Sequence, residues 1–200
     1  MKVKICGIRR YEDAREALDA GAWALGFIFH KRSPRHVDPE EARRILERLP
    51  RGVLSIGVFV DRSVEEVNRT VEAVGLRGAQ LHGKEDLAYA KQVKAAVVIK
   101  SLRVGPAFRA RQVLLYPGSR ILLDTYRAGV AGGTGATLDW TVARKAADLV
   151  PIILAGGIGP ENAAEAVAKV HPYALDVSSG VEASPGIKDR EKIRELFRAL

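Results

Sequence analysis

The chain has 200 residues, 47% of them hydrophobic and 28% charged, with a net charge of +8. No apolar run reaches the roughly 20 residues needed to cross a membrane, and the composition is that of a globular protein rather than a disordered one. A single cysteine, Cys6, excludes an internal disulfide and fits a reducing cytoplasm; the stretch from Met1 to Cys6 is too short and too interrupted for a secretory signal.

The chain repeats one unit: a short apolar or β-branched run, a polar turn, then an amphipathic stretch. Strands are expected over 3–6, 24–29, 54–60, 78–81, 97–101, 120–124, 152–155 and 174–178. Helices are expected over 11–20, 39–49, 64–74, 84–93, 105–114, 139–148, 160–170 and 189–200. Asp38-Pro39 and Gly159-Pro160 put proline at a first helical position, and Ser63 followed by Glu66 is a capping-box pattern. Gly105-Pro106 and Phe108 disturb the helix after the fifth strand. Regular alternation implies parallel pairing through crossovers, and nearly continuous apolar strands imply that both sheet faces are covered. Eight such units close into a (β/α)8 TIM barrel, read as one compact domain over 1–200. The alternative, a doubly wound open sheet, carries its glycine signature after the first strand. Here the glycine-rich turns follow strands six, seven and eight.

A barrel builds its active site at the C-terminal ends of its strands. Gly156, Gly157 and Gly159 let backbone approach an anion near a helix start, and Ser178, Ser179 and Gly180 offer amides and hydroxyls next door. Phosphate binding is the functional reading of the two loops; tight turns are the structural one. Cys6 closes the first strand on that rim, as a general base or as a small core residue. Asp124 ends the apolar run Ile121-Leu122-Leu123, as a general acid or as a loop cap. Arg35 follows Ser33-Pro34 in a rim loop, as a bidentate anion ligand or as a solvated side chain. His82 could serve as ligand, base or wall. No metal-ligand spacing, P-loop or Ser-His-Asp arrangement accompanies these residues, so no metal is expected. The basic residues are dispersed among acidic ones without an aromatic ladder, which argues for an anionic metabolite over nucleic acid. Arginine outnumbers lysine while Asn, Gln, Cys and Met are scarce, a heat-adapted pattern.

Together these rim segments resemble the phosphoribosylanthranilate isomerase family of tryptophan biosynthesis. The matching pieces include Lys4-Ile5-Cys6-Gly7, Gly26-Phe27-Ile28-Phe29 with Ser33-Pro34-Arg35, Gly57-Val58-Phe59-Val60, Gln80-Leu81-His82-Gly83 and Leu123-Asp124. Gly132-Gly133-Thr134-Gly135, Leu154-Ala155-Gly156-Gly157 and Leu175-Asp176-Val177-Ser178-Ser179-Gly180 continue the likeness in order to the C-terminus, while 126–130 is less family-like. The resemblance implies a cofactor-free Amadori rearrangement of a phosphorylated anthranilate aminoaldose. It implies Asp124 as general acid, Cys6 as general base, Arg35 at the anthranilate carboxylate, and the Gly156-Gly157 and Ser178-Ser179-Gly180 loops at the phosphate. His82 and Asp176 are implied as substrate-side rim residues, and Gly133 and Gly135 as part of a mobile loop after strand six. The family contains monomers, dimers and fusions; heat adaptation favours a homodimer. The rivals are another phosphosugar barrel, of the histidine-pathway isomerase or indoleglycerol phosphate synthase type, and a non-catalytic binder of nucleic acid or protein.

Overall fold

A computed structural model describes residues 1–124 and 140–200. Eight parallel strands pair in chain order and close into a barrel. They are β1 (Lys2–Cys6), β2 (Ala24–Ile28), β3 (Leu54–Phe59), β4 (Gly78–Leu81), β5 (Val97–Arg103), β6 (Arg120–Asp124), β7 (Ile152–Ala155) and β8 (Ala174–Val177). Closure is made by β1 against β8, where Lys4 pairs with Asp176 in register. The helices α1 (Tyr11–Asp19), α2 (Pro39–Glu47), α3 (Val64–Val74), α4 (Leu87–Ala90), α5 (Trp140–Ala147), α6 (Ala163–Val170) and α7 (Arg190–Arg198) complete the described architecture. No described helix is long and apolar enough to cross a membrane.

Strand alternation sorts the side chains into two layers. Val3, Ile5, Leu25, Phe27, Leu81, Leu123, Leu154 and Leu175 face outward and join the helices in the main core. Ala24, Ile56, Ile99, Leu122, Ile153 and Ala174 fill the barrel interior. Several inward positions nearer the mouth are polar, so the same alternation that packs the core delivers Lys4, Cys6, Gln80, Asp124 and Asp176 to the opening.

Local signals hold at several helix starts. Ser63 accepts from the Glu66 amide and Glu66 accepts from the Ser63 amide, closing the capping box of α3. Pro39 opens α2. Three expected helices are corrected. The one expected over 84–93 is only Leu87–Ala90, because Glu85 turns inward to Lys100 and Asp86 caps the chain behind it. The one expected over 105–114 is a 3-10 helix at Ala110–Leu115. Pro106 offers no amide hydrogen, Phe108 is buried, and the Arg109 guanidinium donates to the carbonyls of Pro106 and Phe108, so that stretch is a turn. The helix expected from 160 starts at Ala163, because Asn162 is engaged with the glycine loop before it. Beyond β8 the chain adds a 3-10 turn, Ser179–Val181, and an antiparallel hairpin of β9 (Glu182–Ser184) and β10 (Ile187–Lys188), which periodicity does not announce.

Candidate functional site

A cavity of about 430 Å³ opens at the C-terminal mouth. Cys6, Arg35, His82, Asp124, Asp176, Gly156, Gly157, Ser178 and Ser179 all line it, so the ends of six strands and the loops after them converge much as the rim rule requires. Gly180 lies immediately behind. Gly133 and Gly135 lie outside the described residues.

Cys6 sits at the inner end of β1 beside Lys4, which is fully buried and ion-paired to Asp176 at 2.8 Å. Burial alone would lower the Lys4 ammonium, but Asp176 and Cys6 outweigh it and hold its proton affinity above the ordinary lysine value. Burial pushes the Cys6 thiol up, and Asp176 adds to that, against the pull of Lys4 and Lys188. The thiol rather than the thiolate is therefore the resting form; the ammonium groups of Lys4 and Lys188 favour the thiolate, and desolvation outweighs them. Glycine at 26 is required here, since a Cβ there would stand 2.7 Å from Cys6 Sγ and 3.0 Å from Lys4 Nζ.

Asp124 ends β6 across the mouth. His82 Nε2 lies 3.2 Å from its Oδ2, and Gln80 Nε2 lies 3.0 Å from His82 Nδ1. Gln80 and His82 are two residues apart, so strand alternation puts both on the inner face. His82 is thus a partner of the carboxylate rather than an isolated wall.

Arg35 is not a solvated loop side chain. Its Nε and Nη2 donate to the two oxygens of Glu182 at 2.8 and 2.7 Å, a fork-on-fork pair. Glu182 also takes Lys188 Nζ at 3.0 Å, and Lys188 donates to the Ser178 carbonyl. The β9–β10 hairpin therefore anchors the β2 loop to the β8 loop. Burial would raise the Glu182 carboxyl, but Arg35 and Lys188 hold it below the usual carboxylate range. Burial lowers the Lys188 ammonium, against the attraction of Glu182. A depressed carboxyl contributes stability in full above its unfolded value and loses it as pH falls through its folded value. Glu182→Gln should cost about 3–5 kcal/mol at neutral pH, because it leaves Lys188 buried without its counter-charge. The cost should shrink as pH falls below the ordinary carboxylate value and vanish once it has passed the depressed folded value, where wild-type Glu182 is itself protonated. Thermal unfolding of both proteins across pH measures it; a pH-independent difference would count against the pair.

The glycine-rich loops after β7 and β8 approach each other closely. Gly156 and Gly157 have φ of +92° and +67°, a left-handed backbone that side chains resist. Asn162 braces their loop, donating to the Gly157 carbonyl at 2.8 Å and accepting from the Gly159 amide at 2.9 Å. At Gly180 a Cβ would stand 2.0 Å from the Ile158 carbonyl oxygen, so the β7 and β8 loops touch through that glycine. Gly180→Ala must push them apart and should raise KM for a phosphorylated substrate about tenfold or more, a loss of ~1.4 kcal/mol. Initial-rate kinetics read this directly, and an unchanged KM would leave the two loops as turns only.

Lys4, Gln80, Asn162, Glu182 and Lys188 are site residues to which the sequence alone assigns no role. Charged residues at inward strand positions, such as Lys4 two residues before Cys6, were the available signal. For Glu182 and Lys188, carried by an irregular hairpin, the available signal is the family resemblance, which extends through Val181-Glu182 and Pro185-Gly186 to Lys188-Asp189.

Fold and rim together define a barrel enzyme of the acid–base class, working at the C-terminal mouth. The profile of N-(5'-phosphoribosyl)anthranilate (PRA) isomerase matches residues 3–199. An N-(5'-phosphoribosyl)anthranilate isomerase of Geobacter sp. strain M21 is 51% identical over 195 residues, covering 98% of this chain and 95% of the relative. The crystal structure of phosphoribosyl anthranilate isomerase from Thermotoga maritima superposes with a TM-score of 0.91 at 39% identity, covering 100% of this chain and 98% of the other. That Thermotoga protein is dimeric, and monomers have been generated from it. A phosphoribosyl anthranilate isomerase solved with reduced 1-(o-carboxyphenylamino)-1-deoxyribulose 5-phosphate superposes at 0.87 with 37% identity, covering 100% of this chain and 97% of that one. The chain belongs to the N-(5'-phosphoribosyl)anthranilate isomerase family.

Proposed function

We propose that the chain, acting as one catalytic unit over 1–200, converts N-(5-phosphoribosyl)anthranilate to 1-(2-carboxyphenylamino)-1-deoxyribulose 5-phosphate in tryptophan biosynthesis. The observation that carries the assignment of roles is the placement of Cys6 and Asp124 on strands β1 and β6 of one cavity, with the glycine–serine loops between them. Asp124 gives its proton to the furanose ring oxygen. The ring C–O bond breaks as the nitrogen lone pair forms the Schiff base, and the ring oxygen becomes a hydroxyl. Cys6, as thiolate, takes the proton from the neighbouring ribose carbon. The electrons of that C–H bond move toward nitrogen and leave an enolamine, which tautomerises to the ketone. Opposed placement lets acid and base reach the sugar from different sides. Each transfer is worth about 10²–10⁴-fold, and positioning and electrostatics supply the rest.

The loops at Gly156-Gly157 and Ser178-Ser179-Gly180 take the phosphate, and Arg35 takes the anthranilate carboxylate on an arm held by Glu182. Asp176 holds Lys4 charged beside Cys6. The net charge of +8 favours capture of a substrate with two acidic groups. A cytoplasmic setting fits the lone free thiol, and a homodimer fits the dimeric Thermotoga relative. The test is turnover of the fluorescent aminoaldose by purified protein, followed as loss of anthranilate fluorescence. The histidine-pathway aminoaldose and the synthase substrate serve as controls. Absence of turnover on the anthranilate substrate alone would overturn the assignment, and sedimentation decides the assembly.

A further inference from the structure

Strand alternation continues past the end of β2. Ile28 faces the cavity, Phe29 turns out into the main core, and His30 faces the cavity again. The Phe29 amide donates to the Val58 carbonyl at 3.0 Å, and its ring stacks on Phe59 with centroids 5.3 Å apart. Val37 then returns to donate to the Ile28 carbonyl at 3.0 Å, which closes the loop on itself. Inside it the Ser33 amide donates to the His30 carbonyl, and the Arg35 amide donates to Ser33 Oγ. His30 and Arg35 therefore stand on one short, pinned loop at the same edge of the mouth.

The other ionisable side chains of the cavity are engaged with protein. Asp176 is paired with Lys4, Arg35 with Glu182, and His82 stands between Gln80 and Asp124. Cys6 lies beside Lys4. The ring of His30, half-buried, has no hydrogen-bond partner among the described residues. A neutral imidazole donates through one ring N–H and a charged one through two, so His30 offers a donor to a ligand in either form.

The surroundings say which ligand group it meets. β3 stands four strands from β7 round the barrel, so the β2–β3 edge lies across the mouth from the glycine–serine loops. A substrate with its phosphate in those loops carries its aryl end to that edge. Ile28, Val58 and Val60 make the wall there apolar, which suits the face of a ring. The ring of an anthranilate adds a carboxylate at its rim. The Nε–Nη2 fork of Arg35 is closed on Glu182, so a second donor adds a hold that this fork does not give. We propose that His30 is a specificity-determining residue that donates a ring N–H to the anthranilate carboxylate, beside Arg35. A hydrogen bond to a charged group is worth more than one between neutral groups, so this donor separates an arylamine bearing a carboxylate from one without it. The inference rests on the anthranilate reading given above.

Two ligands separate this role from one of shape alone. The first is reduced 1-(o-carboxyphenylamino)-1-deoxyribulose 5-phosphate; the second is its counterpart made from aniline, without the carboxylate. Titration calorimetry measures the binding of each to the whole protein, as wild type, His30→Phe and His30→Gln. Phenylalanine keeps a ring and removes the N–H, while glutamine keeps an N–H donor. His30→Phe should bind the carboxylated ligand about tenfold or more weakly and the other within about twofold of wild type. His30→Gln should regain most of the loss. In steady-state turnover His30→Phe should raise KM about tenfold and leave kcat within about twofold, the pattern of a binding contact made equally in the ground and transition states. His30→Ala repeats the comparison should phenylalanine disturb the fold. Equal weakening of both ligands, or unchanged affinity for the first, would overturn the proposal. If wild type holds both ligands equally, no carboxylate is read at this end, and the role given to Arg35 falls with that of His30. If wild type prefers the carboxylated ligand and His30→Phe keeps that preference in full, the anthranilate reading stands and His30 alone is removed from it.

Discussion

Cys6→Ala is expected to lower kcat by about 10²–10⁴-fold while leaving affinity for a reduced product analogue within about threefold of wild type. The side chain removed is small, and no ion pair is lost with it, since Lys4 keeps Asp176 at 2.8 Å. The barrel and the phosphate loops should therefore survive. The loss falls on the step that removes the carbon-bound proton. A second reading of the same thiol follows from its surroundings. Burial holds it above the ordinary cysteine value in the free protein, although Lys4 and Lys188 pull the other way. Alkylation of the ligand-free protein should thus be slow at neutral pH and rise toward a midpoint above about 8.5. Near-normal kcat in Cys6→Ala would return Cys6 to the core.

Asp124→Asn is the counterpart and should show a loss of similar size, about 10²–10⁴-fold in kcat. Asparagine keeps the shape of the carboxylate, and its oxygen can still accept from His82 Nε2, so ring orientation and product binding should be retained. What disappears is the ability to hand over a proton. Single-turnover kinetics with binding measured separately would check this. A variant with weakened binding and intact kcat would point to Asp124 as a substrate ligand only. The two variants combined should lose less than the product of their separate effects if both groups serve one reaction coordinate.

The fold was legible because its code is short-range. Each strand is four to seven residues of apolar pattern, and each crossover begins with local turn or cap chemistry such as Ser63–Glu66. Where side chains override that chemistry the reading failed. Glu85 is drawn into an ion pair with Lys100 and shortens α4. Phe108 is buried, and with Pro106 it reduces the β5 connection to a 3-10 turn. Asn162 braces the glycine loop rather than extending α6.

Cys6 and Asp124 were readable as rim residues from the sequence alone, because a strand end in a barrel is an address. Eight repeated units, their parallel order and the late glycine loops also came from windows of a few residues. Tertiary structure decided what each address contains. Lys4 meets Asp176 across 172 residues, and Arg35 meets Glu182 across 147, contacts made only when β1 closes on β8 and the hairpin folds back over the mouth. Those pairings determine which groups are charged beside Cys6 and Arg35. Burial then determines that the thiol rests protonated. Periodicity locates a side chain on a face; charge state depends on distances that only closure of the barrel sets.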